Sequence, residues 1–367
     1  MQIKEVRVKN FKSLKDIELE LKGLTLITGV NSAGKSSFIQ ALLLLKQNED
    51  RFYSTRGKKI VNINDEYVKL GDKQDILFEE AYKENIEISI SNDTNNHNLI
   101  FNNETLNIEE VQLLPDEGEE TFNIFYEDFQ YIMTDRIAPS IAYMLSDEAI
   151  SKNLLGMSGE YMAHYLAQNR RKILNIDTLK HPNAITSQLL ENVSLWLNEI
   201  SNGITVTVNL NKNLLQAYLN YNYIYGDKQT NEYSPLNVGF GLTYVLPVIV
   251  AILKAKAGDL LIIENPESHL HPMGQSKIAK LCAMAVANGV QIIIESHSDH
   301  FLNAIRVATK QEIIFPDDSV IYYFSKKQDS LETQVEQIKV NQDGSIDNYP
   351  KGFFDQFDND LDELLEL

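Results

Sequence analysis

The residues Gly29 to Ser36, GVNSAGKS, match G-x-x-x-x-G-K-[ST] at every fixed position. Gly29 and Gly34 let a backbone curl until its N–H groups converge, with Asn31, Ser32 and Ala33 carrying the intervening ones. A helix that starts at the end of such a loop adds the partial positive charge of its N-terminus. Convergent N–H groups at a helix start hold phosphate oxygens. Lys35 is then placed for the β- and γ-phosphates, the Ser36 hydroxyl for Mg²⁺, and Ser37 closes the segment. The expected ligands are ATP and Mg²⁺. A chance glycine turn before an ordinary helix is the alternative, and the flanking sequence weighs against it: LTLITG precedes the loop and SSFIQALLLLKQ follows it.

A phosphate loop needs an acid at the end of a buried strand to hold the magnesium shell, and LLIIENPESHLHP supplies Glu264. Any buried strand can end in a carboxylate, so this pattern gains meaning from the loop. NVGFGLTYVLP offers a second anion cradle at Asn237 to Gly241, where Gly239 and Gly241 precede a helix expected from about Leu242. Glycines that permit tight helix packing are the other reading there. His297 follows the strand QIIIES, either as a phosphate contact or as a structural histidine. Four of the seven histidines, His269, His271, His297 and His300, fall in two short segments. A zinc or dinuclear site on them would leave the phosphate loop without a task.

The elements that must position these residues read as an α/β fold. Three strand signals surround Phe11, the third entering the glycine loop. Residues 84–135 mix short β-like runs such as IEISI and NLIF with Asn- and Glu-rich turns, which predicts antiparallel strands. From about Ile141 to Ile200 the pattern is helical, with Leu154, Tyr165, Leu166, Leu190 and Trp196 as expected core. A hairpin follows over ITVTVNL and LLQAYLNYNYIY. Strands at 260–264 and 291–296 then alternate with helices, which predicts a parallel sheet under helices. The expected division is an N-terminal lobe at 1–135, a helical insertion at 136–203, a C-terminal lobe at 204–325, and closing strands with an acidic tail at 326–367.

Taken together, the NFKS strand pair, GxNxxGKS, the glycine pair, ExPExHLHP and ESHSDH resemble the ABC-type ATPases related to RecF, SMC and OLD proteins. The resemblance is nearest to a bacterial family that also carries YxxxxRxxP, here Tyr131 to Pro139, and PxGFFD, here Pro350 to Asp355. It implies a two-lobed ATPase head with antiparallel strands in its N-terminal lobe and a helical insertion. It gives Asn237 to Gly241 the part of the ABC signature, which closes over the nucleotide of a partner protomer, so that ATP joins a homodimer. It gives His297 the part of the switch histidine at the γ-phosphate.

One position departs from that family pattern. The residue after the Walker B acid is ordinarily a glutamate that polarises water, and here it is Asn265, which cannot accept a proton. Glu267, two residues on, is the candidate base, with a structural role in the loop as the alternative. Slow or conditional hydrolysis is expected. Asp135 and Arg136, expected to end the strand before Pro139, could contact a phosphate or pair with each other.

The absence of a long heptad region between Lys35 and Asn237 predicts no SMC-type arms, and the stretch after Arg306 is short for an appended Toprim nuclease. A separate nuclease or toxin effector is the expected partner, in bacterial genome maintenance or defence against phage. The net charge of −19 argues against a surface globally attractive to nucleic acid, leaving a local patch at Lys152, Arg170, Arg171 and Lys172 for DNA. The tail from Asp355 carries Asp358, Asp360, Asp362, Glu363 and Glu366 and no base, as a solvated end or a docking segment. The longest apolar run, Tyr244 to Leu253, is shorter than a membrane span and contains Pro247, so no membrane partner and a cytoplasmic location are expected. Cys282 is alone, which excludes an internal disulfide.

Overall fold

Alternating apolar and charged residues at the start of the chain build a hairpin in the computed structural model, which describes residues 1–53, 59–111, 121–327 and 329–365. Glu366, Leu367 and residues 112–120 of the β-rich stretch lie outside the described residues. In the hairpin, β1 (Glu5–Phe11) runs antiparallel to β2 (Leu14–Glu20), with Val6 opposite Leu19 and Val8 opposite Ile17. Buried Val6 and Val8 alternate with exposed Glu5 and Arg7, the period-two signature of a half-buried sheet. Strand β3 (Leu24–Gly29) enters the glycine loop, and α1 (Lys35–Gln47) leaves it, followed by the short α2 (Glu49–Tyr53). With β4 (Asn85–Ser91), β5 (Asn96–Asn102) and β6 (Ile108–Val111), the hairpin forms an antiparallel sheet in the order β2-β1-β4-β5-β6.

The middle of the chain holds the parallel strands. Here β7 (Gln130–Ile132) and β8 (Tyr143–Met144) lead into α3 (Asp147–Ser151), α4 (Met162–Asn169) and α5 (Leu189–Asn198). The predicted hairpin follows as β9 (Ile204–Asn211) and β10 (Gln216–Tyr225), with β11 (Lys228–Gln229) folding back on β10. Then come α6 (Phe240–Lys254), β12 (Leu260–Glu264), α7 (Pro272–Val286), β13 (Gln291–Glu295) and α8 (Asp299–Lys310). Strands β7, β12 and β13 are parallel, in that order. The LLII run of β12 and all of β13 are buried, as a strand covered on both faces requires. The chain ends with β14 (Ser319–Lys326), β15 (Thr333–Ile338) and α9 (Gln356–Leu365), and β14 lies between β3 and β15.

Two compact units result: 1–126 with 320–339 and 346–367, and 127–319 with 340–345. Three local expectations change. The helix expected from about Leu242 starts at Phe240, two residues earlier, with Gly239 as its N-cap. Strand β7 ends at Ile132, so Asp135 and Arg136 lie beyond it on the connecting loop. In the helical region Leu155 and Leu189 are fully inside, whereas Leu154 and Leu190 are half-buried, a one-residue shift of the buried face. Among the described residues no helix is long and apolar enough to cross a membrane.

Candidate functional site

The glycine loop belongs to the first unit. Gly29 and Gly34 have φ of 137° and 99°, values that side-chain-bearing residues avoid. A Cβ at Gly29 would stand 2.0 Å from the Phe324 carbonyl oxygen, and one at Gly34 would stand 2.5 Å from Thr333 Oγ1. The loop is therefore pressed against β14 and the start of β15. Val30 N–H donates to the Phe324 carbonyl at 3.2 Å, and the Thr333 hydroxyl donates to the Ala33 carbonyl at 2.8 Å. No side chain caps the start of α1, whose N-cap is Gly34. Lys35 is buried, and its Nζ donates to the Gly29 and Val30 carbonyls at 3.1 and 2.9 Å. Asn31, Ser32 and Ser36 are exposed and Ser37 is half-buried. A curled backbone, an uncapped helix start and a tethered ammonium fit a polyphosphate.

The remaining sequence-derived residues lie in the second unit, four of them where β12 and β13 end. Glu264 closes β12, and its carboxylate is held by three donors. Tyr131 Oη donates to Oε1 at 3.0 Å, while the Thr134 N–H and hydroxyl donate to Oε2 at 3.2 and 2.9 Å. Burial and the neighbouring Glu264 charge push the Tyr131 phenol well above its usual range, so it stays a donor. Three donors fix the carboxylate's rotamer, as the acid of a metal shell requires.

Asn265 follows with φ of 44°, a left-handed turn that an asparagine tolerates better than most residues. Its Nδ2 donates to Thr134 Oγ1 at 2.9 Å, and its Oδ1 is a buried acceptor with no protein partner. Arg136 pins this turn. Its guanidinium donates to the carbonyls of Glu264 and Asn265, the latter at 3.2 Å from Nη2, and lies 4.9 Å from the centre of the Tyr244 ring. Burial lowers this guanidinium to about 10, against the opposing pull of Tyr244, Glu267 and Glu264.

Glu267 is buried too. Its Oε1 accepts the His297 N–H at 2.8 Å. Desolvation raises its pKa above the ordinary 4.5. The His297 side chain is exposed at the end of β13. The structure thus places Glu264 at the end of β12, and Asn265, Glu267 and His297 on the two loops that leave β12 and β13.

Asn237 and Gly239 are exposed ahead of α6, and Asn237 Nδ2 donates to Ser234 Oγ at 3.2 Å. The two glycines differ in kind. A Cβ at Gly239 would meet nothing within 4 Å, whereas one at Gly241 would stand 2.3 Å from the His269 carbonyl oxygen. Close packing therefore accounts for Gly241, and Gly239 leaves an open approach. Gly239, Gly241, His269 and His271 line a cavity of about 230 Å³ with Tyr223.

His269 and His271 have contacts of their own. His269 packs edge-on against Phe240 and Tyr244, and His271 Nδ1 caps α7 by accepting the Met273 N–H at 3.4 Å. No group of three or more metal-ligating side chains occurs among the described residues. Thr134 and Tyr244 are the site residues that sequence reasoning missed. Thr134 stands inside the Tyr131 to Pro139 motif and Tyr244 inside NVGFGLTYVLP, and those motifs were the available signals.

Residues 24–303 match the family described as "AAA domain, putative AbiEii toxin, Type IV TA system", and residues 314–364 match a family described only as a protein of unknown function. The DNA replication and repair protein RecF of Caldanaerobacter subterraneus subsp. tengcongensis is 27% identical over 315 residues, which is 77% of this chain and 80% of that protein. The OLD nuclease of Thermus scotoductus is 25% identical over 366 residues, 89% of this chain and 65% of the nuclease, so the chain spans under two thirds of that enzyme. Among solved structures, an SMC head bound to the C-winged helix domain of ScpA superposes with a TM-score of 0.55 at 14% identity, covering 93% of this chain and 98% of that one. An Smc head with an extended coiled coil, bound to the C-terminal domain of ScpA derived from Pyrococcus furiosus, gives 0.50 at 12% identity, covering 99% of each chain. These likenesses fix the fold as an α/β, SMC-head-like ATPase fold. The chain belongs to that AAA-domain family and is an ABC-type ATPase of the RecF/SMC/OLD group.

Proposed function

We propose that the chain binds ATP with Mg²⁺ on Gly29 to Ser37 and dimerises around it, coupling binding and slow hydrolysis to a conformational output. The observation that carries this reading is the loop itself: two left-handed glycines and a buried Lys35 tied to the loop's first carbonyls. Ser36 and Glu264 would hold the metal, which supplies charge neutralisation at the phosphates. His297 contacts the γ-phosphate, and Asn237, Gly239 and Gly241 of one protomer close over the nucleotide of the other. Glu267 is the base, helped by Asn265 Oδ1 as a second acceptor for water.

Asn265 also favours a neighbouring reading, a nucleotide-sensing scaffold with little turnover. Phosphate release separates the two. Wild type should release phosphate above the Lys35→Ala background, and Asn265→Glu should raise the rate about tenfold or more. ATP binding with no release above that background would establish the scaffold instead.

For the pathway, we infer cytoplasmic bacterial DNA maintenance or anti-phage defence with a separate nuclease or toxin effector. The RecF and OLD relatives support that class. Direct DNA contact, where present, falls to the exposed Arg170, Arg171 and Lys172, because Lys152 is already paired with Glu148 at 2.8 Å.

A further inference from the structure

A short run of contacts, with buried Tyr244 at its centre, joins the Asn237 to Gly241 segment to the Glu264 carboxylate of the same chain. Phe240, in the first turn of α6, packs on Tyr244 with ring centres 5.3 Å apart and the rings tilted by 32°, and both rings pack edge-on against His269. Tyr244 sits one helical turn later. Its hydroxyl donates to the Thr134 carbonyl and accepts the Arg136 N–H at 3.4 Å. Thr134 in turn gives its N–H and hydroxyl to Glu264 Oε2 and takes the Asn265 amide on Oγ1. Tyr244 is buried, so water does not take over a bond lost from its hydroxyl.

We infer that Tyr244 and Thr134 are positioning residues that transmit occupancy of the Asn237 to Gly241 segment to the Glu264 carboxylate of the same chain. This rests on the proposed ATP-joined dimer, in which that segment faces the partner's nucleotide. A displacement of the first turn of α6 carries Tyr244 with it, because Gly241 leaves the helix no slack against the His269 carbonyl. Thr134 then shifts two of the three donors that orient Glu264. The closing of one nucleotide site thereby tunes the metal ligand of the other, which makes turnover cooperative.

The test compares wild type with Tyr244→Phe, Thr134→Val and Thr134→Ser. Measured are ATP binding, ATP-dependent sedimentation and phosphate release as a function of ATP. Tyr244→Phe and Thr134→Val should bind ATP within about twofold of wild type. Their Hill coefficient for release should fall from near 2 toward about 1, and kcat on the order of tenfold. Thr134→Ser keeps the hydroxyl and should behave as wild type. A Tyr244→Phe protein with unchanged Hill coefficient and kcat overturns the relay and leaves the dimer reading standing. Thr134→Ser as impaired as Thr134→Val overturns it as well, because bulk rather than the hydroxyl then matters. A wild type that sediments as a monomer at saturating ATP overturns the dimer reading and the relay with it.

Discussion

A buried carboxylate is a stronger base than a solvated one, and Glu267 is buried. Its pKa is raised mainly by desolvation, with the His297 and Glu267 N–H groups, the Ser296 hydroxyl and the Arg136 charge pulling the other way. The protein therefore holds this proton more tightly than an unfolded chain does. The neutral form contributes stability below the ordinary value of 4.5, and that contribution is lost as pH rises through the folded value. Catalysis by a base runs in the opposite sense, since only the anion accepts a proton. Phosphate release should rise with pH across a midpoint above 4.5, and Glu267→Gln should flatten that rise and lower the rate on the order of a hundredfold. A pH–rate profile of both proteins checks this, and an unaltered profile in Glu267→Gln would assign the residue to holding the His297 loop.

At the scale of elements, the strand, glycine loop and helix of the first unit were legible because each is specified locally. LTLITG is apolar throughout, the glycines mark the turn, and nothing interrupts SSFIQALLLLKQ. Strands β12 and β13 were legible for the same reason, as apolar runs ending in acids. What joins them was not. Tyr131 is 133 positions from Glu264, and Tyr244 is 110 from Thr134, so no periodicity or spacing links the partners. The two signature glycines also looked equivalent, and only the packing of α6 on the loop after β12 separates them. Gly241→Ala should cost about 1–3 kcal/mol, because its Cβ would meet a backbone oxygen at 2.3 Å. Gly239→Ala should stay within about 0.5 kcal/mol of wild type. Denaturant unfolding of the two variants measures the difference, and equal losses would mean that α6 shifts freely on its neighbour.

For the whole molecule, charge restricts where partners can bind. The chain carries −19 overall, and a groove of about 520 Å³ in the first unit is lined by Glu5, Asp16, Glu18, Glu20 and Glu332. Such a face repels polyanions. The central claim concerns ATP shared between two molecules, and the openness of Gly239 provides a way to test it. An aspartate there has room, is a favourable N-cap for α6, and sets a negative charge where the account places the partner's phosphates. Gly239→Asp alone should bind ATP and remain monomeric, and Lys35→Ala alone should bind little ATP and remain monomeric. Mixed in equal amounts with ATP, the two variants can form one intact shared site. Analytical ultracentrifugation of that mixture should show a dimer absent from either variant alone; a mixture that stays monomeric while wild type dimerises would contradict the account.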